Sequence, residues 1–262
     1  MVAAAMSRWT IAVGLAAAML TAGDAPAEPT RSPATSVATS TRPSRKAGKT
    51  GKTGKTGKVG KTGVVRANGS NMPRGFTWPP SQAMTDAEAT CEHALDAAQV
   101  AWKPASREGH IADAVTLADG PLGGIAYVPV YGKGPYKLDC QLALALVTIG
   151  PELRAAGVRE VHFGSIYRWS NVRVGGKTLN ALSRHALGLA MDVVSFVDDA
   201  GREANVARDY RQGDALLLDV EQAIDASSSF RLVLTPKNDP ISHKDHFHIE
   251  ANPSYATAVP RS

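Results

Sequence analysis

Apolar residues recur with helical spacing in two segments near the middle of the chain. The first segment follows a Thr-x-x-Glu capping box at Thr85–Glu88 and continues to about Trp102. The second begins after Asp139, whose side chain can cap a helix, continues through Leu153 and ends by Gly157. We therefore predict one helix in each segment.

Strand patterns surround and follow the second of these helices. Residues 125–138 alternate around Gly132–Gly134 and predict a hairpin. Further strands are predicted at residues 159–167, 189–197, 230–235 and 246–251, with one more helix at 214–225. Because strands and helices do not alternate regularly, we expect an α+β fold, with a small, mostly antiparallel sheet and flanking helices.

The first 27 residues have the pattern of a secretory signal peptide. Arg8 gives the positive start, residues 9–23 are apolar, and Ala25–Ala27 offers a cleavage site of small residues. An uncleaved N-terminal anchor is the alternative. No cysteine lies directly after the apolar stretch, which excludes a bacterial lipoprotein anchor, and no other stretch reaches 18 apolar residues. We therefore expect an exported protein, periplasmic or extracellular in a bacterial cell envelope, whose mature chain has no transmembrane span.

Residues 28–80 have few apolar side chains to bury and are rich in Pro, Thr, Ser, Gly and Lys. Lysine recurs at every third residue from Lys46 to Lys61. Burial in such a segment cannot offset the entropy cost of ordering, so we predict a disordered basic linker. It can act as a solvated spacer, or as a polycation that holds the protein near an anionic envelope surface. The predicted folded domain covers residues 81–255, and a short tail follows at 256–262.

The net charge of +5 is unevenly distributed, because the basic excess belongs to the linker. Residues 86–262 carry 17 basic and 22 acidic side chains. An acidic folded part disfavours nucleic-acid binding, so we expect no specific nucleic-acid partner.

The chain has two cysteines, Cys91 and Cys140. Two are too few for a disulfide-dense scaffold or a cysteine-based zinc cluster. In an exported protein, a pair of cysteines is expected to form a disulfide, and two separate buried thiols are the alternative.

Two short segments combine histidine with aspartate. In the first, His185 and Asp192 are seven residues apart, and Gly188 lets the chain turn from a loop into the strand that carries Asp192. In the second, His246 and His248 lie two residues apart on the last predicted strand and therefore face the same side. A catalytic zinc site uses three protein ligands, which can be imidazole nitrogens and carboxylate oxygens. A His, an Asp and a second His can thus converge on one zinc ion.

Asp245 precedes these last two histidines at the mouth of the strand. A carboxylate or imidazole beside the open position of a zinc site can accept the proton of a water molecule. An isolated histidine is usually a surface residue or a satisfied core residue. Here, however, five candidate side chains occur in two short segments, which separate surface or core histidines do not readily explain. The sequence therefore predicts a zinc site with an adjacent general base.

The pattern S-x-H-x-x-G-x-A-x-D, followed by D-H-F-H, resembles the LAS group of zinc peptidases. That group includes D-Ala-D-Ala carboxypeptidases, murein endopeptidases and the hedgehog signalling domain. The local sequence is most similar to the extensin-like protein C-terminal domain, whose landmarks occur here in order: Cys140–Ala143, Tyr167–Arg168, Ser183–His185, Asp192 and a terminal His-x-Asp-His-Phe-His. The resemblance covers about residues 82–252 and implies a hedgehog- or DD-peptidase-like fold.

The resemblance also implies roles for individual residues. The zinc ligands would be His185, Asp192 and His248. Asp245 lies three residues before the last ligand, where relatives have their acidic base. His246 takes the position of a site histidine of murein endopeptidases.

Arg168 matches an arginine that follows a tyrosine upstream of the first ligand. Its planar guanidinium could hold a substrate carboxylate or a developing oxyanion. The alternative is a structural ion pair with a nearby acid.

These observations together favour an exported zinc-dependent hydrolase that cleaves amide bonds of peptidoglycan stem peptides, of carboxypeptidase or endopeptidase type. The alternatives are a non-catalytic, zinc-containing module that binds the cell wall and a structural envelope protein. The expected partners are peptidoglycan or wall peptides and, through the linker, an anionic envelope surface. We expect the protein to be a monomer.

Overall fold

The computed structural model describes residues 71–117 and 120–257. The predicted signal segment and residues 28–70 of the predicted linker, with its lysine repeat, lie outside the described residues, as do residues 258–262. The predicted end of the linker at residue 80 was wrong, because residues 71–80 belong to the described fold and Met72 and Phe76 pack against its core. None of the described helices is long and apolar enough to cross a membrane.

The described residues form an α+β fold, as predicted. The helices are α1 (Gln82–Ala97), α2 (Cys140–Ala155), α3 (Val206–Asp209), α4 (Ala215–Ala226) and α5 (Ser254–Thr257). The strands are β1 (Trp102–Pro104), β2 (Ala114–Leu117), β3 (Ala126–Pro129), β4 (Lys137–Asp139), β5 (Val158–Ser165), β6 (Asn171–Val174), β7 (Lys177–Leu182), β8 (Ala190–Asp198), β9 (Glu203–Asn205), β10 (Phe230–Leu234) and β11 (Phe247–Ala251). Two short 3₁₀ turns cover Arg184–Leu187 and Tyr210–Gln212.

Within the described residues, the main sheet has six strands. Five follow the order β10-β11-β8-β5-β3, and the sixth, β9, pairs with the far end of β8. All its pairs are antiparallel except β3 with β5, which is parallel. Strands β1, β2 and β4 form a second, antiparallel sheet, and β6 pairs with β7 as a hairpin. Strands β8 and β11 therefore both have neighbours on each side.

One face of the main sheet packs on α2 and α4. Val193 on β8 and Ile249 on β11 belong to this core, together with Ile149 of α2. Because side chains alternate along a strand, the neighbours Asp192 and His248 belong to the opposite face. The core thereby fixes the direction in which two of the predicted zinc ligands point.

A disulfide joins α1 to the first residue of α2. It links Cys91 and Cys140, whose Cα atoms are 6.1 Å apart. The predicted pairing is thus confirmed, and the alternative of two separate thiols does not hold.

The predicted start of the first helix was wrong. Its N-cap is Ser81, whose Oγ accepts a hydrogen bond of 3.3 Å from the backbone N–H of Met84. Thr85 lies inside the helix, where its hydroxyl donates to the carbonyl of Ser81. The helix ends at Ala97, and Trp102 belongs to β1. The second helix agrees with expectation, because Asp139 caps it through a 3.0 Å bond from Gln141 N–H.

The predicted hairpin over residues 125–138 was also wrong. Its two halves, β3 and β4, join different sheets. The backbone N–H of Val130 donates to the carbonyl of Phe163, which extends the pairing of β3 along β5. Periodicity alone shows that a segment is a strand but does not identify the strand that pairs with it. The remaining predicted strands and the third predicted helix correspond to β5, β8, β10, β11 and α4.

Candidate metal centre

Three side chains converge on the face of the main sheet that lies opposite α2 and α4. Asp192 on β8 and His248 on β11 are direct partners in the antiparallel register, so their side chains stand beside each other. His185 reaches them from the 3₁₀ turn that precedes β8. We call these three residues the metal centre.

The turn that carries His185 depends on Ser183 and Gly188. The hydroxyl of Ser183 accepts a hydrogen bond of 3.3 Å from the backbone N–H of His185. Gly188 has φ +66°, and a Cβ at this position would lie 2.7 Å from the backbone nitrogen of Asp139. A residue with a side chain would therefore be strained and would also clash. Glycine at this position lets the chain reverse tightly between His185 and β8, as the sequence predicted.

The spacing of the ligand atoms fits a metal ion. His185 Nε2 lies 3.0 Å from Asp192 Oδ1 and 3.1 Å from His248 Nδ1, and the latter two atoms are 2.9 Å apart. Tetrahedral zinc with ligands at about 2.0–2.1 Å requires ligand atoms about 3.3–3.4 Å apart. A shift of a few tenths of an ångström would therefore accommodate the ion.

The outer hydrogen bonds of the two histidines also fit a metal site. The carbonyl of Ile166 lies 2.5 Å from His185 Nδ1, and Oε1 of Glu250 lies 3.0 Å from His248 Nε2. Both oxygens are acceptors, so in the neutral rings these outer nitrogens carry the hydrogens. The inner nitrogens then present lone pairs to each other and to Asp192. When both rings are neutral, three acceptor atoms meet in a buried site, and either a bound cation or a proton on His248 Nδ1 would satisfy them.

The ionisable groups of the metal centre shift one another's pKa values strongly. Burial acts to raise the pKa of Asp192, but the two histidines hold that pKa well below its ordinary value. Burial acts to lower the pKa of His248, but Asp192 and Glu250 raise it to about 9. The pKa of Glu250 falls to about 2 against the effect of burial, chiefly through its contact with His248. Two buried carboxylates thus remain negative at neutral pH.

Arg168 and Ser165 donate hydrogen bonds to the second carboxylate oxygen of Asp192. Nη2 of Arg168 and the hydroxyl of Ser165 donate to Asp192 Oδ2 over 3.1 and 2.8 Å. The remaining guanidinium bonds of Arg168 go to the hydroxyls of Ser165 and Ser170. The structure therefore shows Arg168 in an ion pair that orients Asp192, with Oδ1 left to the histidines.

Asp245 and His246 form a pair beside the metal centre. His246 Nδ1 lies 2.8 Å from Asp245 Oδ1, and His246 Nε2 lies 3.6 Å from Asp192 Oδ1. The imidazole thus stands between Asp245 and the metal centre. The Asp245 side chain is 54% exposed and makes no recorded contact with His185, Asp192 or His248 among the described residues.

His243 is a neighbour that the sequence reasoning quoted without a role. Its Nδ1 lies 3.0 Å from Asp239 Oδ2, and its ring lies 5.1 Å from those of both His246 and His248, centroid to centroid. Burial, with the neighbouring histidines, lowers its pKa to about 4. It is therefore neutral at physiological pH and packs behind the other two rings.

Three supporting residues were missed: Ser165, Asp239 and Glu250. The alternation of β11 could have identified Glu250, because it lies two residues after His248 and shares its face. Ser165 and Asp239 lie at a strand end and in a loop, where no periodicity indicates their direction.

Comparison with known proteins agrees with the sequence motifs. A family model described as "Extensin-like protein C-terminus" matches residues 89–258, about two thirds of the chain. No curated protein and no solved structure matches the chain. The matched range contains the whole metal centre, with Arg168, Asp245 and His246. The chain belongs to the extensin-like protein C-terminus family.

Proposed function

We propose that this domain is an exported zinc hydrolase that cleaves amide bonds in peptidoglycan stem peptides. The observation that carries the proposal is the meeting of three acceptor atoms, 2.9–3.1 Å apart, in a buried site. Hydrogen bonds to Ile166 and Glu250 turn both histidine lone pairs inward. The LAS-like sequence pattern and the predicted export signal support the choice of substrate.

The metal centre would hold zinc through His185, Asp192 and His248. When bound, zinc supplies Lewis-acid polarisation of an amide carbonyl and makes water more acidic. Arg168 and Ser165 keep the Asp192 carboxylate in place through its second oxygen. Such outer contacts fix the orientation of ligands and strengthen metal binding.

His246 is the better-placed proton acceptor. Its Nε2 is directed towards the metal centre, whereas Asp245 contacts the opposite nitrogen, Nδ1. In this arrangement Asp245 orients the ring, and Nε2 accepts a proton from the hydrolytic water. The same nitrogen can then return the proton to the leaving amine. This division of roles reverses the one implied by the family resemblance, which put the base at Asp245.

One observation favours the alternative, a non-catalytic module that binds zinc and wall peptides. Nε, Nη1 and Nη2 of Arg168 each donate to Ser165, Ser170 or Asp192. Three of its five N–H groups are thus engaged, which leaves only two to stabilise a developing oxyanion. The two functions differ in whether peptides are released.

One experiment distinguishes the hydrolase from the binding module. The zinc-loaded protein is incubated with purified peptidoglycan, and released peptides are identified by mass analysis. A hydrolase releases peptides, and the His185→Ala variant does not. His93→Ala is a matched control, because His93 is exposed on α1 and has no part in the metal centre. If the wild-type protein holds zinc and binds peptidoglycan but releases no peptide, the binding module is the correct function.

A further inference from the structure

Two partly exposed tryptophans lie on either side of one histidine. Trp169 is 58% exposed and Trp78 is 37% exposed. The ring of His110 lies between them, 4.6 Å from that of Trp78 and 5.0 Å from that of Trp169. The guanidinium carbon of Arg107 lies 5.5 Å from the centroid of the Trp78 ring. We call these four residues the indole platform.

Gly109 permits the close packing of the loop that carries His110 against Trp169. Gly109 has φ +54°, and a Cβ there would lie 2.4 Å from the hydroxyl of Tyr167 and 3.2 Å from Trp169 Cε3. Only glycine allows the loop that carries His110 to approach Trp169 so closely. The rings are thus held together by backbone shape as well as by packing.

The platform adjoins the metal centre through the chain itself. Trp169 directly follows Arg168, whose guanidinium donates to Asp192. The backbone N–H of Arg168 donates to the carbonyl of His185. A ligand that extends across this segment could contact both the platform and the metal centre.

The apolar area that both indoles leave exposed is unfavourable in water, because burying apolar surface lowers the free energy. A single exposed apolar side chain needs no explanation, but a continuous exposed aromatic surface indicates a binding site. The platform therefore has the properties of a ligand surface.

The chemistry of the platform favours a saccharide. A pyranose ring offers apolar C–H faces that pack on indole, while its hydroxyl and acetamide oxygens accept hydrogen bonds. Arg107 supplies donors, since no ion pair or hydrogen bond to its guanidinium is recorded in the described ranges. Its positive charge also disfavours cationic ligands, which exposed indoles would otherwise attract.

We infer that the indole platform binds an N-acetylated saccharide of the glycan strand whose stem peptide lies in the metal centre. The choice of this glycan rests on the proposed function. Binding of the saccharide itself requires neither zinc nor cleavage.

The first test measures binding of N-acetylglucosamine tetramer to the full mature chain after removal of metal by a chelator. Titration calorimetry should show binding to the wild-type protein, weakened about 3–10-fold in Trp169→Ala, as expected for loss of one aromatic contact. Tyr131→Ala is the matched control, because Tyr131 is 72% exposed but outside the platform, and its binding should be unchanged. Thermal melting of each variant checks that the fold is intact.

The second test compares cleavage of glycan-linked and free stem peptides by the zinc-loaded protein. Trp169→Ala should lower kcat/KM for the glycan-linked peptide and leave the free peptide unaffected. Equal effects on both peptides would overturn the inference. So would an absence of tetramer binding to the wild-type protein, or binding of a proline-rich peptide instead. If neither peptide is cleaved, the proposed hydrolase fails, while the calorimetry still decides whether the platform binds saccharide.

Discussion

His248 stands directly opposite Asp192 across the β11–β8 pair, with Nδ1 of the histidine 2.9 Å from Oδ1 of the aspartate. Register alone therefore positions two of the three candidate ligands. The third, His185, depends on a short turn and a glycine with a left-handed backbone.

We predict one zinc ion per chain, lost in His185→Ala and in His248→Ala. Each variant removes one of three ligands and leaves the others as an incomplete site. Elemental analysis of the purified proteins measures the metal, with His93→Ala as the control. Equal zinc in the wild-type protein and both ligand variants would contradict the assignment.

We expect that replacing His246 impairs proton transfer without affecting zinc binding. His246→Ala should retain zinc and slow peptide release by roughly 10²–10⁴-fold, the usual effect of losing a positioned acid or base. Asp245→Asn should retain zinc with a smaller loss, because the base itself remains. Metal content and initial rates are measured on the same samples. A larger loss in Asp245→Asn than in His246→Ala would return the role of base to Asp245.

Removing the disulfide is expected to destabilise the domain. Cys91 and Cys140 are 49 residues apart in sequence. Closing a loop of that length stabilises the folded state by about 4 kcal/mol in the chain-entropy model. The double variant Cys91→Ser/Cys140→Ser should show that loss in urea unfolding, and the oxidised wild-type protein is the reference. A change below about 1 kcal/mol would mean that the bond contributes little.

Glu88 makes stability depend on pH. It is buried, and its Oε1 has no hydrogen-bond partner among the described residues. Burial, reinforced by the charges of Asp139 and Asp113, raises its pKa from 4.5 to about 10. Between these values the folded state keeps a proton that the unfolded state releases, so stability falls as the pH rises.

Glu88→Gln should therefore be more stable than the wild-type protein at pH 8, by roughly 1–3 kcal/mol. At pH 4 the two proteins should be nearly equal, because Glu88 is then protonated in both states. Urea unfolding at both pH values measures this, and Glu152→Gln, which alters an exposed glutamate of α2, is the control. The same difference at both pH values would contradict the titration of Glu88.

Residues before α1 are expected to contribute to stability. The buried guanidinium of Arg184 donates from Nε to the carbonyl of Asn71 over 2.6 Å, and Arg231 donates to the side chain of Asn71. A chain that begins at Ser81 loses these acceptors and should be less stable by about 1–3 kcal/mol than one that begins at Ser70. Thermal melts of the two chains test this, and equal melting temperatures would show that Asn71 is dispensable.

Part of the candidate site was predictable because its residues lie on regular structure. His248 lies on a strand whose apolar and polar residues alternate, so its face follows from the sequence. Asp192 lies on a continuously apolar strand, whose position but not its facing could be predicted. The partner of β3 could not be predicted, because pairing depends on strands distant in the chain. The contact of Arg168 with Asp192 likewise depends on how a loop crosses the end of β5.

The capping box illustrates a different limit. Thr85 and Glu88 have the required spacing, but the same spacing also occurs inside a helix that Ser81 has already started. Glu88 faces the interior, where it contacts Gln141 of α2 rather than the N-terminal end of its own helix. Local motifs thus compete with one another, and tertiary burial decides between them.

The candidate metal ligands and the candidate base lie in parts of the fold that differ in their tolerance of substitution. The strands of Asp192 and His248 have neighbours on both sides, so substitutions of their core-facing residues disturb the packing of the sheet. Asp245 and His246 precede β11, at the end of a loop, where sequence can drift without loss of the fold. Under the proposed function, substitutions in this loop could therefore abolish hydrolysis while the three candidate ligands stay in place.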